Sequence, residues 1–308
     1  MSYSAIWGLN EQANIAGTST WPNAKEIYAF TNATIYPNIS GRNGPSLAQI
    51  VAGTTSTGDV SWKNNTSYFN ATNGIISWTV PASATYRIEV WGARGGNADG
   101  NNYWGGYGAR MRGDFVLVSG AVLKILIGQT GGNSYGGGGG GTFVATSSNS
   151  PLIVAGGGNT LSAWSSTVAH AGTGNDGTGG SVPSYNGTNG GGGNAAGSSV
   201  AGGAGFTGNG TNTSCGSSVA PLSFINGGTG GQTCNSIGGF GGGSASDGCC
   251  QGASGAGGGY SGGAGCSSSS QYGGAGGSYN NGTNQSNDAG NTGTATLNGN
   301  GRCIITKL

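Results

Sequence analysis

The chain has 308 residues, of which 72 are glycine and only 6% are charged, and its net charge is +1 at neutral pH. Such a small net charge gives no electrostatic reason to bind nucleic acid or an anionic membrane surface. No apolar stretch approaches the ~20 residues needed to cross a bilayer, and the first ten residues lack the basic patch and apolar run of a signal peptide. We therefore expect no nucleic-acid partner and no membrane insertion.

Residues 1–72 carry scattered aromatic side chains among polar residues, including Trp7, Trp21 and Tyr28. The first thirty residues hold too little apolar area to fold alone. A short helix is possible over residues 45–51, with Ser46 near its start. We predict that residues 1–72 form an extended N-terminal arm for assembly, in which Trp7, Trp21 and Tyr28 contact a neighbouring subunit. A disordered leader is the alternative.

Residues 73–155 contain short β-branched and aromatic runs that are separated by Gly, Pro, Ser or Asn, as in antiparallel sandwiches. Charged Arg87 and Glu89 alternate with apolar Ile88 and Val90, which indicates a strand with one buried face. The sequence predicts an antiparallel β-sandwich that is closed by a last strand within residues 301–308. The other predicted strands are residues 75–80, 86–91, 112–118, 122–127, 143–145 and 152–155.

Residues 156–300 consist of glycine tracts interrupted by polar or aromatic inserts. A flexible linker is one interpretation. The other is a packed bundle of extended glycine helices with three residues per turn, whose N–H and C=O groups bond sideways to neighbouring helices. We favour the bundle, because the tracts are similar in length and the chain returns to a β-type sequence at residues 302–308.

All six cysteines lie late in the chain: Cys215, Cys234, Cys249, Cys250, Cys266 and Cys303. There is no CxxC pair and only one histidine, so a zinc cluster is not expected. An even number of cysteines in a region with little apolar area favours disulfides, although free thiols remain the alternative. Cys303 could in this way tie the glycine region to the sandwich.

Catalytic chemistry has no support in the sequence. The acidic residues are scattered, and a Ser–His–Asp triad would have to use His170, which lies in a polar insert. The triplet of residues 112–114, Arg-Gly-Asp, matches an integrin-binding motif, but it stands at a predicted strand and is best explained as chance. We expect a protein that is not an enzyme and needs no cofactor or metal.

The order of motifs from residue 73 to the end resembles a known domain. The pieces are Gly-Ile-Ile-Ser-Trp-Thr-Val-Pro at 74–81, Trp-Gly-Ala-Arg-Gly-Gly at 91–96 and Leu-Ile-Val-Ala-Gly-Gly-Gly at 152–158. They resemble the glycine-rich extracellular domain of the anaplastic lymphoma and leukocyte receptor tyrosine kinases, and similar modules in bacteriophage tail-fibre adhesins. The resemblance implies an all-β fold, a TNF-like antiparallel sandwich with inserted polyglycine-II helices. Receptor signalling is not implied, because the sequence has no kinase.

We therefore expect a bacteriophage virion structural protein, a tail-fibre or adhesin component that attaches to the host surface. Its partners would be other virion subunits or copies of itself, and a host surface glycan. One alternative is a capsid or tail decoration protein. The other is a secreted, glycosylated cell-surface or matrix protein.

If the chain is an adhesin, its receptor-binding surface should be the turns that join the glycine rods, because rigid rods hold loops in fixed positions. The candidate residues are Trp164, Tyr185 and Tyr272, with His170 and Asn186 beside them. Aromatic rings would stack on sugar faces while polar side chains bond to hydroxyl groups, which suits a neutral glycan. The alternative is that these rings only cap the ends of the rods.

Overall fold

The computed structural model describes residues 30–97, 104–132, 136–161, 167–196, 200–213, 218–246, 254–266, 271–293 and 298–308. Within these ranges the protein is mostly β, with one α-helix, α1 (Leu47–Gly53). In chain order the strands are β1 (Phe30–Ile35), β2 (Thr54–Gly58), β3 (Phe69–Thr72), β4 (Ile75–Thr79), β5 (Ala84–Trp91), β6 (Arg110–Leu117), β7 (Val122–Leu126), β8 (Thr142–Thr146), β9 (Pro151–Ala155), β10 (Ala195–Ala196), β11 (Gly265–Cys266), β12 (Tyr279–Asn280) and β13 (Arg302–Lys307).

Two antiparallel sheets contain most of these strands. One has five strands in the order β2-β1-β13-β5-β6, and the other has six in the order β12-β9-β8-β7-β4-β3. The short strands β10 and β11 form a separate parallel pair. The all-β prediction is confirmed, and each predicted strand of residues 73–155 is present within one or two residues of its expected limits.

A shared apolar core lies between the two sheets. In β5, Ile88 and Val90 are fully buried while Arg87 and Glu89 are more exposed, as their alternation predicted. The core also holds Trp78 of the six-stranded sheet, whose ring meets Tyr86 of the five-stranded sheet edge-on at 5.6 Å. Alternating side chains of two facing sheets thus build one core.

Helix α1 begins where the sequence indicated. Ser46 caps it: the backbone N–H of Gln49 donates to Ser46 Oγ at 3.3 Å, and the backbone N–H of Ser46 donates to Gln49 Oε1 at 2.9 Å. This reciprocal capping box satisfies two backbone donors that a helix start would otherwise leave open. Ile50 turns inward and is fully buried.

The fold starts earlier than the sequence suggested. Residues 30–72 were assigned to the arm, but β1, β2 and β3 belong to the two sheets, and β1 pairs with β13 so that Ala33 lies opposite Ile305. Among residues 31–35 of β1, Ala33 and Ile35 are the buried apolar side chains and the other three are polar, so this part of the strand has a weak pattern of its own. Trp7, Trp21 and Tyr28 lie outside the described residues, and their role in assembly stays a prediction.

Glycine segments continue from the strand ends and pack side by side. We call them together the glycine layer: residues 92–96, 105–109, 128–132, 136–141, 156–160, 190–194, 201–205, 238–244, 255–259, 262–265 and 273–277. Four of them, residues 92–96, 105–109, 128–132 and 136–141, precede residue 155, so the predicted division there does not separate the glycine layer from the strands. Most of these residues belong to no regular helix or strand.

Backbone hydrogen bonds hold the glycine layer together in several directions. Residues 156–158 exchange such bonds with five other segments, at distances of 2.7–3.0 Å, through Ala93, Ala109, Gly139, Gly258 and Gly276. A strand in a sheet bonds to only two neighbours. The described glycine segments are therefore fixed on several sides, which a flexible linker would not be.

Absence of a side chain is what permits this packing. A Cβ atom on Gly138 would overlap the carbonyl oxygen of Ala256, and one on Gly140 would overlap that of Phe240. At Gly174, in a surface turn, a Cβ would meet nothing within 4 Å. Glycine is thus a steric requirement inside the layer and not in every turn.

A second apolar cluster joins the glycine layer to the outer face of the six-stranded sheet. Its rings follow one another: Phe143 of β8 stacks on Phe224 at 5.1 Å, and Phe224 stacks on Phe206 at 4.9 Å. Tyr260 and Tyr279 continue the row, with 4.7 Å between their centroids. The layer is therefore attached to the sheets by aromatic packing as well as by backbone bonds.

Cys303 does not tie the glycine region to the sheets by a disulfide. It lies in β13 beside Ile305, and its free thiol is fully buried in the shared core. Burial raises the pKa of the Cys303 thiol, so it stays protonated. Among the described cysteines, no disulfide joins Cys234, Cys266 and Cys303 to one another. The other candidates, Cys215, Cys249 and Cys250, lie outside the described residues.

Candidate functional site

Within the described residues no helix is long and apolar enough to cross a membrane. The same part of the chain has no group of three or more His, Cys, Asp or Glu side chains that could hold a metal ion. The Arg-Gly-Asp triplet lies inside β6, and its Asp114 is only 4% exposed. An integrin-type receptor could not reach that carboxylate, so the triplet is structural.

Asp114 forms the best-defined ion pair on the outer face of the five-stranded sheet. Arg87 lies opposite it on β5 and donates from Nε to Oδ1 at 2.8 Å and from Nη2 to Oδ2 at 2.9 Å. Asn284 Nδ2 adds a third bond to Oδ2 at 3.0 Å. The hydrogen bond and charge of Arg87 lower the pKa of Asp114, although its burial acts in the opposite direction.

Asp114→Asn should lower the free energy of unfolding at pH 7 by about 2 kcal/mol, since it weakens charge-assisted hydrogen bonds. Because the folded pKa is depressed, this stabilisation is present above the unfolded pKa of about 3.9 and is lost as the pH falls through the folded value. Urea unfolding between pH 7 and pH 2 measures the difference. Asp288→Asn is the control: its carboxylate is 51% exposed, so we expect less than about 1 kcal/mol. A loss for Asp114→Asn that did not shrink in acid would contradict this account.

The predicted site residues have different surroundings. Trp164 lies outside the described residues. Tyr185 ends a 3-10 turn (Pro183–Tyr185) and is 41% exposed. Both polar atoms of the Asn186 side chain bond to backbone groups: Oδ1 accepts from the Ala264 N–H at 2.7 Å, and Nδ2 donates to the Gly179 carbonyl at 3.0 Å. Asn186 therefore links the turn at residue 179 to the glycine segment of residues 262–265.

Tyr272 is placed next to the loop that carries Tyr185. Its backbone N–H donates to Ser181 Oγ at 3.0 Å, and its carbonyl accepts from the Ser181 N–H at 2.9 Å. The ring is half-buried and packs against the shared core. Tyr272 thus has a structural contact on one side and a surface on the other.

His170 lies at the surface against a residue that the sequence did not single out, Tyr107. The two rings stack at 5.5 Å with an angle of 18° between their planes. His170 Nδ1 accepts from the backbone N–H of Tyr107 at 2.9 Å, which leaves Nε2 as the protonated nitrogen of the neutral ring. Burial, and secondly the charge of Arg94, lower the pKa of His170.

Arg94 completes this group, which we call the Arg94 cluster: Arg94, Trp104, Tyr107 and His170. The guanidinium carbon of Arg94 lies 4.3 Å from the centre of the Tyr107 ring and 5.1 Å from that of Trp104. Contacts of this kind between a cation and ring faces are attractive. Within the described residues, this cluster is the place at the surface where aromatic faces, a cation and a histidine meet.

Positions distant in sequence are brought together here by the glycine layer. Gly95 donates its N–H to the Gly106 carbonyl at 2.9 Å, and Ala171 donates to the Tyr107 carbonyl at 3.0 Å. Each bond places a neighbour of Arg94 or His170 beside the segment of Trp104 and Tyr107. The only sequence signal for the Arg94 cluster was the spacing Trp104-Gly-Gly-Tyr107. Residues three apart lie on one side of a helix with three residues per turn, so such a helix would present both rings on the same side.

A groove of about 270 Å³ lies elsewhere, between the outer face of the six-stranded sheet and the turn at Phe224. Lys124 lines it, with Nζ 2.7 Å from Asn149 Oδ1. The groove combines apolar and polar walls but has no stacked ring with a charged group. We therefore regard the Arg94 cluster as the leading candidate site. No protein-family model matches the chain.

Proposed function

We propose that this chain is a bacteriophage virion structural protein, a tail-fibre or adhesin component that attaches the particle to the host surface without catalysis. The observation that carries the proposal is the glycine layer, which is bonded backbone to backbone on several sides. A layer held in this way can keep the surface residues of its connecting turns in fixed positions, and fixed loops on a rigid scaffold favour recognition.

For the fold, we propose a TNF-like sandwich into which polyglycine-II helices are inserted. A helix with three residues per turn directs its N–H and C=O groups in three directions around its axis. This geometry would account for the bonds from residues 156–158 to five other segments. The order of elements supports the same assignment, because glycine segments lie between β5 and β6, between β7 and β8, and throughout the stretch from β9 to β12.

For recognition, the support comes from rings at the surface. Tyr185 is exposed, Tyr272 is half-buried beside Ser181, and His170 stacks on Tyr107. Flat rings offer faces on which sugar rings can stack, and their low side-chain entropy limits the cost of binding. Many copies on one extracellular particle would raise the overall affinity of a weak single site. Other virion subunits or copies of this chain would be the assembly partners.

Labelling with an antibody against this chain, followed by electron microscopy of particles from the native source, tests the location. We expect label at tail fibres, and we expect the purified chain to compete with particles for adsorption to host cells. Label on the capsid would instead favour a decoration protein. Absence from particles, together with added sugar mass, would favour a secreted glycoprotein.

The double variant Tyr185→Ser/Tyr272→Ser should compete for adsorption about tenfold less well, which corresponds to about 1.4 kcal/mol. Its melting temperature should fall only slightly, because Tyr185 is exposed and Tyr272 is only half-buried. Val116→Ser is a matched control, because Val116 is exposed in β6 and belongs to neither turn. If adsorption is kept and the melting temperature falls markedly, the two rings are structural and the attachment surface lies elsewhere.

A further inference from the structure

We infer that the Arg94 cluster binds an acidic sugar: its guanidinium pairs with a sugar carboxylate, while a neighbouring aromatic face holds the sugar ring. This inference deepens the proposed function, on which its biological role rests, by naming the chemical class of the ligand. It concerns Arg94, Trp104, Tyr107 and His170.

The first step is the fixed position of the guanidinium. Trp104 and Tyr107 are three residues apart, which in an extended helix of three residues per turn is an advance of about 9 Å. Arg94 contacts both rings, at 5.1 and 4.3 Å, and donates from Nε to the Gly105 carbonyl at 2.9 Å. An arginine already held in this way loses little further side-chain entropy when a ligand binds.

The second step is the free donor edge of Arg94. Its Nη atoms have no hydrogen-bond partner among the described residues, and they are not among the buried polar atoms that lack one. They therefore face solvent. Two parallel N–H groups on a planar guanidinium match the two oxygens of a carboxylate, and such bidentate pairs are stronger and more directional than a single contact.

The third step is charge. Arg87 pairs with Asp114 at 2.8 Å and Arg110 pairs with Glu89 at 2.5 Å, both on the outer face of the sheet. Within the described residues, no carboxylate lies within 4.0 Å of Arg94. A negative ligand would thus supply the counter-charge that the protein does not. The sequence suggested a neutral glycan because its candidate residues are rings and uncharged polar side chains. Arg94 was not among them, and at contact distance its charge favours an anion.

The fourth step is the surface for a sugar ring. Trp104 is half-buried, and its only ring contact in the described part of the chain is with Arg94. It can offer a face for stacking while the carboxylate reaches the guanidinium. His170 adds a donor, because its Nδ1 is taken by the Tyr107 N–H and Nε2–H remains for a hydroxyl group.

His170 also gives a single-site measurement, since it is the only histidine of the chain. We would follow its imidazole by NMR while adding trigalacturonate, with galactotriose as the neutral match and inorganic phosphate as the simple anion. Among the described residues, the titratable or charged groups that face the His170 ring are Arg94 and Tyr107. Trigalacturonate should shift the His170 signals and raise the pKa of His170, because a carboxylate beside Arg94 offsets the positive charge that disfavours protonation. Galactotriose should bind at least tenfold more weakly.

An equal response to inorganic phosphate would overturn the acidic-sugar assignment and leave a non-selective anion site. Equal binding of galactotriose would overturn the role of the carboxylate. The absence of any response at His170 would overturn the site itself.

Variants locate the interaction. Arg94→Gln should weaken trigalacturonate binding at least tenfold and should raise the pKa of His170, although burial, the larger cause, keeps it below its ordinary value. Arg112→Gln removes the same charge from the outer sheet face and should leave binding unchanged. Should Arg94→Gln fail to fold, Arg94→Lys keeps the charge without the planar fork and should bind with an intermediate affinity. Unchanged binding by a folded Arg94 variant would overturn the inference.

Failure of this inference can be told from failure of the proposed function. Sugar binding is measured on the purified chain, whereas the attachment role is measured on particles. Labelled tail fibres with no response at His170 would keep the attachment role and remove the ligand class. A response at His170 with no label on particles would keep the ligand class and remove the attachment role.

Discussion

Gly138→Ala should prevent native folding, or lower the free energy of unfolding by more than about 4 kcal/mol, a loss well beyond that of an ordinary substitution. The new Cβ would overlap the carbonyl oxygen of Ala256. Inserting a methyl group into a packed core usually costs about 1–3 kcal/mol, because side chains can shift. Here the new methyl group meets a backbone carbonyl, which cannot rotate aside as a side chain can. Gly138 itself donates to the Ser244 carbonyl at 2.8 Å and accepts from the Gly239 N–H at 2.9 Å, so it cannot move away without breaking these bonds.

Gly174→Ala is the matched control. Its Cβ would meet nothing within 4 Å, and its backbone is outside the left-handed region. We expect a change between zero and about 1 kcal/mol in the stabilising direction, because alanine reduces the freedom of the unfolded chain. Urea unfolding of both variants measures the contrast. Similar stabilities would mean that the glycine layer is loosely packed and can accept side chains.

Phe224→Ala should lower the free energy of unfolding by about 3–5 kcal/mol, as expected for removal of a fully buried aromatic ring. Phe224 is 2% exposed and stacks on both Phe143 of β8 and Phe206 of the glycine region. Its loss would open a cavity where the layer joins the six-stranded sheet. The described glycine segments near Phe206 should then exchange their amide hydrogens faster than the strands of the shared core.

Ile225→Ala, one position further along the same 3-10 turn (Phe224–Asn226), is the control. Ile225 is 42% exposed, so we expect a loss below about 1 kcal/mol. Thermal melts and hydrogen exchange on both variants test the difference. If Phe224→Ala weakened the strands and the glycine layer equally, the two would unfold as one unit and the ring would not be a separate attachment.

Several elements could be predicted because their signals are local. Alternation of Arg87 and Glu89 with Ile88 and Val90 defines a strand with one buried face, and Ser46 with Gln49 forms a helix cap within four residues. By contrast, β1 was missed because it depends on a partner strand about 270 residues away, with Ala33 opposite Ile305. Cys303 was misjudged for a related reason, since the position of β13 in the shared core decided that its thiol would be buried.

For the candidate site, the sequence identified His170 as a surface ring in a polar insert but missed Arg94, Trp104 and Tyr107. By itself the sequence determined where the strands of residues 73–155 form and where glycine is dense enough for backbones to touch. Only the tertiary structure decided which glycine segments lie side by side, and therefore that Arg94 and His170 meet at Tyr107. The physical reason is that a glycine has no side chain to distinguish one neighbour from another. Its hydrogen-bond partners are chosen by the packing of the whole layer.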